Sequence, residues 1–197
     1  MFLLPTVRTR KGPQCYTCGG MRSRKAEPLD GAKLLEYALR TLSRQAMSIA
    51  DLRTRLCRRA AEPADVDAVI ERLKEPGFLN DGRFAESYAA ARLENQGFGP
   101  MRVMQDLRRK RVASEVAQTA VNQTFEGTDE TVLARQYIER KFRGKDLPVF
   151  LAEAKNLAAA YRRLRTAGFS SSATVRVLKQ YAAAADQIEE TDEAAEE

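Results

Sequence analysis

Apolar residues recur at helical spacing along most of this chain, and the pattern stops and restarts so that one small helical unit is written three times over. In the first unit Leu34, Leu35, Ala38 and Leu42 line one face of a helix, and Ile49, Leu52 and Leu56 line a second, opened by Ser48 with Asp51 three residues on. Val66, Val69, Ile70 and Leu73 mark a third, predicted to start at Pro63 and stop at Pro76-Gly77. The second unit repeats this with Phe84, Tyr88 and Leu93, then Val103, Met104 and Leu107 after Pro100, then Val116, Ala120 and Val121 after Ser114. Asn80 or Asp81 is the expected cap of its first helix. The third unit begins near Thr128-Asp129 with Val132, Leu133, Tyr137 and Ile138. A single longer helix through Phe150, Ala154, Leu157, Tyr161 and Leu164 follows, then Val177, Leu178 and Tyr181 after Ser170.

The repetition extends to individual residues. Leu107-Arg108-Arg109-Lys110-Arg111-Val112 aligns without gaps with Leu164-Arg165-Thr166-Ala167-Gly168-Phe169, and Val121 and Leu178 fall in step behind them. Leu56-Cys57-Arg58-Arg59 joins only with a small insertion. The expected fold is therefore all-α, three tandem three-helix repeats over 31–78, 79–126 and 127–185 forming an elongated curved array. A unit of roughly 50 residues holds too little core to be strongly stable alone, so neighbouring repeats must support one another. With 44% hydrophobic residues, 7% aromatics and no Trp, that core is mostly Ala, Leu and Val, which suits helices better than strands.

Charge and missing residue types narrow the function. The net charge is +6, and seven carboxylates lie between Asp186 and Glu197; setting those seven aside leaves +13 on the remainder. A body that basic attracts polyanions or an acidic protein surface. The chain has no His, which removes the commonest general base and every Ser-His or Cys-His nucleophile pair, so a non-catalytic binding protein without cofactor or metal is expected. No apolar run approaches the roughly 18 residues of a membrane span, and a cytoplasmic location is the expectation. Residues 1–30 mix Gly, Pro and basic residues without a period and are expected to be a disordered basic arm, with 186–197 an acidic disordered tail. Cys15 and Cys18 have the spacing of half a zinc site, but no second pair completes it.

At Glu75-Pro76-Gly77-Phe78-Leu79-Asn80-Asp81-Gly82-Arg83-Phe84-Ala85 the chain resembles the RecX family of regulatory proteins, whose repeat junction reads G-[YF]-[LI]-[DN]-[DE]-x-x-[FY]-A. Further pieces agree in order. Tyr37 to Arg44 followed by Ser48-x-x-Asp51-Leu52-Arg53 resembles the family's first two helices, Gly99-Pro100 leading to Asp106-Leu107-Arg108 its G-P-x-x-[IV]-x-x-[ED]-L segment, and Lys141 to Gly144 with Leu164-x-x-x-Gly168-Phe169-Ser170 its late helices. The resemblance covers roughly residues 32 to 184. Its junction residues have structural uses: Gly77 permits a left-handed helix exit, Phe78 and Leu79 are expected to pack across the junction, and Asp81 to cap the next helix. In one departure, the family usually has Gly where this chain has Arg111, so that helix is expected to run on or bend differently.

The resemblance implies a modulator that binds the RecA recombinase filament on single-stranded DNA and suppresses its strand exchange, ATP turnover and co-protease activity, acting as a monomer. Sequence-independent binding of nucleic acid, duplex DNA included, and a helical scaffold that recognises only protein are the alternatives. The residues offered for contact are basic clusters: Arg53, Arg55, Arg58 and Arg59 in the first unit, Arg102, Arg108, Arg109, Lys110 and Arg111 in the second, and Arg162, Arg163 and Arg165 in the third. Placed on the second helix of each unit, they are expected to form one stripe that meets phosphate. Reversing Arg108, Arg109 and Lys110 to Glu is then expected to abolish inhibition and leave the fold intact, and the acidic tail is expected to compete with phosphate for the basic face.

Overall fold

Most helix starts in this chain are set by side chains that accept otherwise orphaned backbone N–H groups, or by prolines that have no such group to satisfy, the helices that begin at Ser114 and Ala154 being the exceptions among the described residues. The computed structural model describes residues 27–182, so the expectations for Cys15 and Cys18, for most of the basic arm and for the acidic tail lie outside the described residues. Within it the chain is all-α, with helices in three groups: α1 (Gly31–Arg44), α2 (Ile49–Cys57) and α3 (Pro63–Lys74); α4 (Asp81–Gln96), α5 (Pro100–Arg109) and α6 (Ser114–Phe125); and α7 (Glu130–Lys141), α8 (Leu147–Leu151), α9 (Ala154–Ala167) and α10 (Ser171–Lys179). Asp30 accepts from Lys33 N at 2.9 Å, Ser48 from Asp51 N at 3.1 Å and Ser170 from Ala173 N at 3.2 Å, while Pro63 and Pro100 open α3 and α5.

Asn80 caps α4 through Arg83 N at 3.0 Å. Asp81 turns elsewhere: its carboxylate accepts from Ile49 N at 2.8 Å and so ties the first residue of α4 to the first residue of α2. The junction acid therefore joins two groups of helices instead of capping its own. Leu79 is buried as expected, but Phe78 is 64% exposed, on the rim of a groove lined by Leu42, Met47, Pro76 and Phe84.

Each group has its own apolar centre. Leu34, Leu52, Leu56 and Ile70 fill the first, Ala85, Val103, Leu107 and Val121 the second, and Leu151, Leu164, Phe169 and Leu178 the third. Phe98 packs against both the second and the third, which makes it a shared side chain of two cores. Leu29, at the end of the segment expected to be an arm, exchanges backbone hydrogen bonds with Arg59 O and Ala61 N at 2.6 and 2.9 Å and packs on the first core.

The third group departs from expectation. The single longer helix through Phe150 and Leu164 is broken into α8 and α9 at Ala152-Glu153, and Pro148 lies in the first turn of the short α8. Asn156 bridges the break by donating to Phe150 O at 3.0 Å. α9 is thus the third helix of its group, and its arginines do not sit on a second helix.

The aligned segments at the ends of α5 and α9 have the same backbone path. Val112 N donates to Leu107 O and Phe169 N to Leu164 O, each at 3.2 Å, closing the six-residue loop that ends a helix with a left-handed residue. That residue is Gly168 in α9, with φ of 92°, and Arg111 in α5, with φ of 58°. Arg111 does not let the helix run on or bend away: it keeps the left-handed exit despite its Cβ.

Candidate nucleic-acid and partner interface

The twelve basic residues meet different fates, decided by which of them has a carboxylate within reach. Arg53 pairs with Asp67 at 2.8 Å. Lys110 Nζ lies 3.1 Å from Asp51 Oδ2, and Arg111 Nη2 lies 3.3 Å from Asp51 Oδ1 and 2.8 Å from Thr54 Oγ1. Ser48, fully buried, donates its hydroxyl to Lys110 O at 2.7 Å. Lys110 and Arg111 therefore link the second group to the first. A glutamate in place of Lys110 would face Asp51.

Asp106 is the second anchor. It is buried at 8% exposure, and Arg102, Arg92 and Arg109 approach its carboxylate at 3.4, 3.7 and 3.8 Å. Tyr88 donates to it at 3.5 Å, the outer limit of a hydrogen bond. Arg165 turns back to donate to Phe169 O at 2.9 Å and ties the end of α9. Among the described residues, the side chains of Arg55, Arg58, Arg108 and Arg162 make no ion pair or hydrogen bond, and all four are exposed.

Among the described residues, cations gather in two clefts that share no residue. One, of about 410 Å³, opens between α5 and α9: Arg102, Lys141, Arg162 and Arg163 surround Phe98 and Tyr137. The Arg102 guanidinium stands 5.7 Å from the Phe98 ring centroid and the Lys141 ammonium 5.5 Å from that of Tyr137, and Arg163 lies 5.4 Å from the ring of Phe142. Tyr137 is only 7% exposed, so its ring is no platform for a stacked base. Its role is to hold a cation in place, which lowers the entropy lost when that cation meets an anion. The second cleft lies between α1 and α2 and collects Arg55 and Arg59 with Arg40 and Arg44.

Lys141, Phe98, Tyr137, Arg40 and Arg44 are absent from the clusters singled out by sequence. Density of basic residues along the chain cannot find them, because each borders a cleft whose other wall comes from a different helix. The segments that carry the family resemblance do contain Lys141, Arg40, Arg44 and Tyr37.

A short approach of backbones closes the first cleft at its base. Gly99 N donates to Ala167 O at 2.8 Å and Met101 N to Gly168 O at 3.2 Å. A Cβ on Gly168 would lie 2.2 Å from Arg102 N, so only glycine lets α5 approach α9 this closely. The two junctions are equivalent in position: the start of α2 docks on the carbonyl of Lys110, and the start of α5 docks on that of Ala167, the residue aligned with it.

Residues 35–73 match the model of the first three-helix domain of RecX, and residues 80–121 match that of the second. A regulatory protein RecX of Halorhodospira halophila is 36% identical over 155 residues, spanning 79% of this chain and 89% of that one. The chain belongs to the RecX family. The RecX of Syntrophotalea carbinolica is 32% identical over 145 residues, or 73% of this chain and 90% of that one. Two solved RecX structures have the same fold. One covers 75% of this chain and 70% of its own, with a TM-score of 0.61 at 23% identity, and the RecX of Lactobacillus salivarius covers 77% and 96%, with a TM-score of 0.58 at 18% identity. The matched RecX domains contain the clusters on α2 and α5; Arg162, Arg163 and Arg165 lie beyond them.

Proposed function

We propose that this RecX-family chain is a regulator without chemistry of its own, which binds the recombinase filament on single-stranded DNA and inhibits its strand exchange, ATP turnover and co-protease activity. The observation that carries this reading is the α5–α9 cleft, where Arg102 of the second group and Arg162 and Arg163 of the third converge on one opening. A filament is a repeating surface of protein and phosphate, and cations held by two successive repeats engage it at more than one point, so affinity gains from multivalency. The protein acts in the cytoplasm as a monomer in this reading. No described helix is long and apolar enough to cross a membrane.

Titrating the chain into the single-stranded-DNA-dependent ATPase of its host's recombinase tests the proposal. Turnover falls with added chain if the proposal holds, and unchanged turnover at saturating chain overturns it. Carboxylate-free exposed arginines also favour a second reading, nucleic-acid binding that needs no filament. A salt-dependent binding assay with and without recombinase separates the two, since only the second gives full affinity for bare single-stranded or duplex DNA.

A further inference from the structure

The cleft between α1 and α2, of about 420 Å³, has four arginines along its walls, Arg40 and Arg44 from α1 with Arg55 and Arg59 from α2 and its exit, and Tyr37 and Gln45 beside them. Among the described residues, no carboxylate lines it. Two of these arginines have an ordinary structural use: Arg44 and Arg55 sit in the last turns of their helices, where a cation offsets the partial negative charge of the carbonyls. That use does not extend to the other two. Arg40 lies a full turn earlier, paired with Glu36 at 2.5 Å, and Arg59 lies beyond the end of α2.

Arg59 is held from three sides. Its guanidinium stands 5.2 Å from the Tyr37 ring centroid, its carbonyl accepts from Leu29 N, and its N–H donates to Leu56 O at 2.8 Å. The side-chain Nε is buried with no hydrogen-bond partner among the described residues. That nitrogen is covered and out of a ligand's reach, so an acceptor in the cleft would meet the rest of the Arg59 guanidinium, which makes no hydrogen bond or ion pair among the described residues. The acceptor must be anionic to suit four cations and must have several oxygens to use their forked donors, and a phosphate group has both properties.

We infer that the α1–α2 cleft is a phosphate-binding site, with Arg59 as its fixed donor and Arg44 and Arg55 as the mobile ones. The inference rests on the reading that this chain meets nucleic acid, in that the phosphodiester of a strand is one source of the ligand; a free phosphate is the other. It adds Arg40 and Arg44 to the binding surface and places a binding site in the first group of helices, apart from the α5–α9 cleft.

The full chain and its R44Q/R55Q variant are compared, both substitutions being at exposed positions, with circular dichroism to verify that the helices persist. Pyrophosphate is titrated first, read by NMR at the arginine Nε resonances; then single-stranded oligonucleotide is titrated at several salt concentrations. A strand held in the cleft gives a log affinity against log salt slope that is shallower in the variant by about 0.7 for each phosphate it no longer neutralises. Pyrophosphate shifts at Arg59 Nε that disappear in the variant, with no change in the strand slope, identify a free phosphate as the ligand. Absence of both effects overturns the site. Inhibition of recombinase ATPase by the unsubstituted chain is scored separately, so failure of this site leaves the proposed function standing and the reverse.

Discussion

Arg111 and Asp51 stand 60 residues apart in sequence and 3.3 Å apart in space, and Arg111 reaches that carboxylate from a left-handed backbone that its aligned counterpart meets with glycine. The same helix exit thus makes two kinds of joint. At Gly168 the absence of a side chain lets backbone meet backbone, while at Arg111 the side chain crosses the gap to Asp51 and Thr54. One joint depends on close packing and the other on charge.

The charged joint should respond to salt. Asp51, Lys110 and Arg111 keep 25%, 38% and 55% of their side-chain surface exposed, so solvent screens the pairs and each contributes only some tenths of a kcal/mol. Asp51→Ala removes both pairs and an acid from the first turn of α2, and is expected to lower stability by about 1 kcal/mol at low salt. At about 1 M NaCl the gap between parent and variant should narrow. Thermal melts of both proteins at the two salt concentrations measure it; a gap that does not change with salt contradicts an electrostatic joint.

Position 111 separates backbone strain from side-chain bonding. Arg111→Ala loses the bonds to Asp51 and Thr54 and keeps a Cβ in the left-handed region, whereas Arg111→Gly loses the same bonds and releases the strain, worth about 1 kcal/mol. Denaturant unfolding should therefore rank the glycine variant about 1 kcal/mol above the alanine variant, and equal stabilities would mean that the φ of 58° costs nothing.

The packed joint should tolerate almost nothing. Gly168→Ala places a methyl 2.2 Å from Arg102 N and 2.4 Å from Arg102 Cβ, so α5 and α9 must separate, at an expected cost of about 3 kcal/mol or more. Gly77→Ala is the control: its φ of 75° is strained for alanine, but nothing lies within 4 Å, and the cost should stay near 1–2 kcal/mol. Unfolding midpoints of the two variants that coincide would contradict the close approach.

Acid should weaken two helix starts. Backbone N–H groups of Lys33 and Thr131 hold the carboxyls of Asp30 and Asp129 below the ordinary value of 3.8. Because the folded value is the lower one, this contribution is complete above 3.8, the value taken for the unfolded chain, and is lost as pH falls through it towards the folded value. The double variant Asp30→Ala/Asp129→Ala should lose less stability than the parent between about pH 5 and pH 3, measured by guanidinium unfolding at each pH. Parallel losses in the two proteins would remove the capping carboxylates from the acid response.

What the sequence made legible follows physical range. Helix positions and core leucines such as Leu34, Leu56, Leu107 and Leu164 repeat every few residues, so local periodicity reveals them, and Ser48 and Pro63 announce their helices in the same way. The break at Ala152-Glu153 was hidden because Phe150, Ala154 and Leu157 keep helical spacing across it. Phe78 carries the right side chain to pack, but only the assembled junction shows that Leu79 fills the space and Phe78 is left outside. Charged residues mislead most: Lys110 and Arg108 look alike in a basic run, and a carboxylate 59 residues upstream decides that the first is a joint, leaving the second exposed.

That division of the basic residues is tested most directly by measuring inhibition of the recombinase's single-stranded-DNA-dependent ATPase by two variants at matched fold and concentration. R162E/R163E reverses two cations of the α5–α9 cleft, and Lys110→Met removes one cation of the joint without adding charge repulsion. R162E/R163E should weaken inhibition by about tenfold or more, while Lys110→Met should inhibit nearly as well as the parent once its lower stability is allowed for. Full inhibition by R162E/R163E, with inhibition lost in a folded Lys110→Met, would contradict that division.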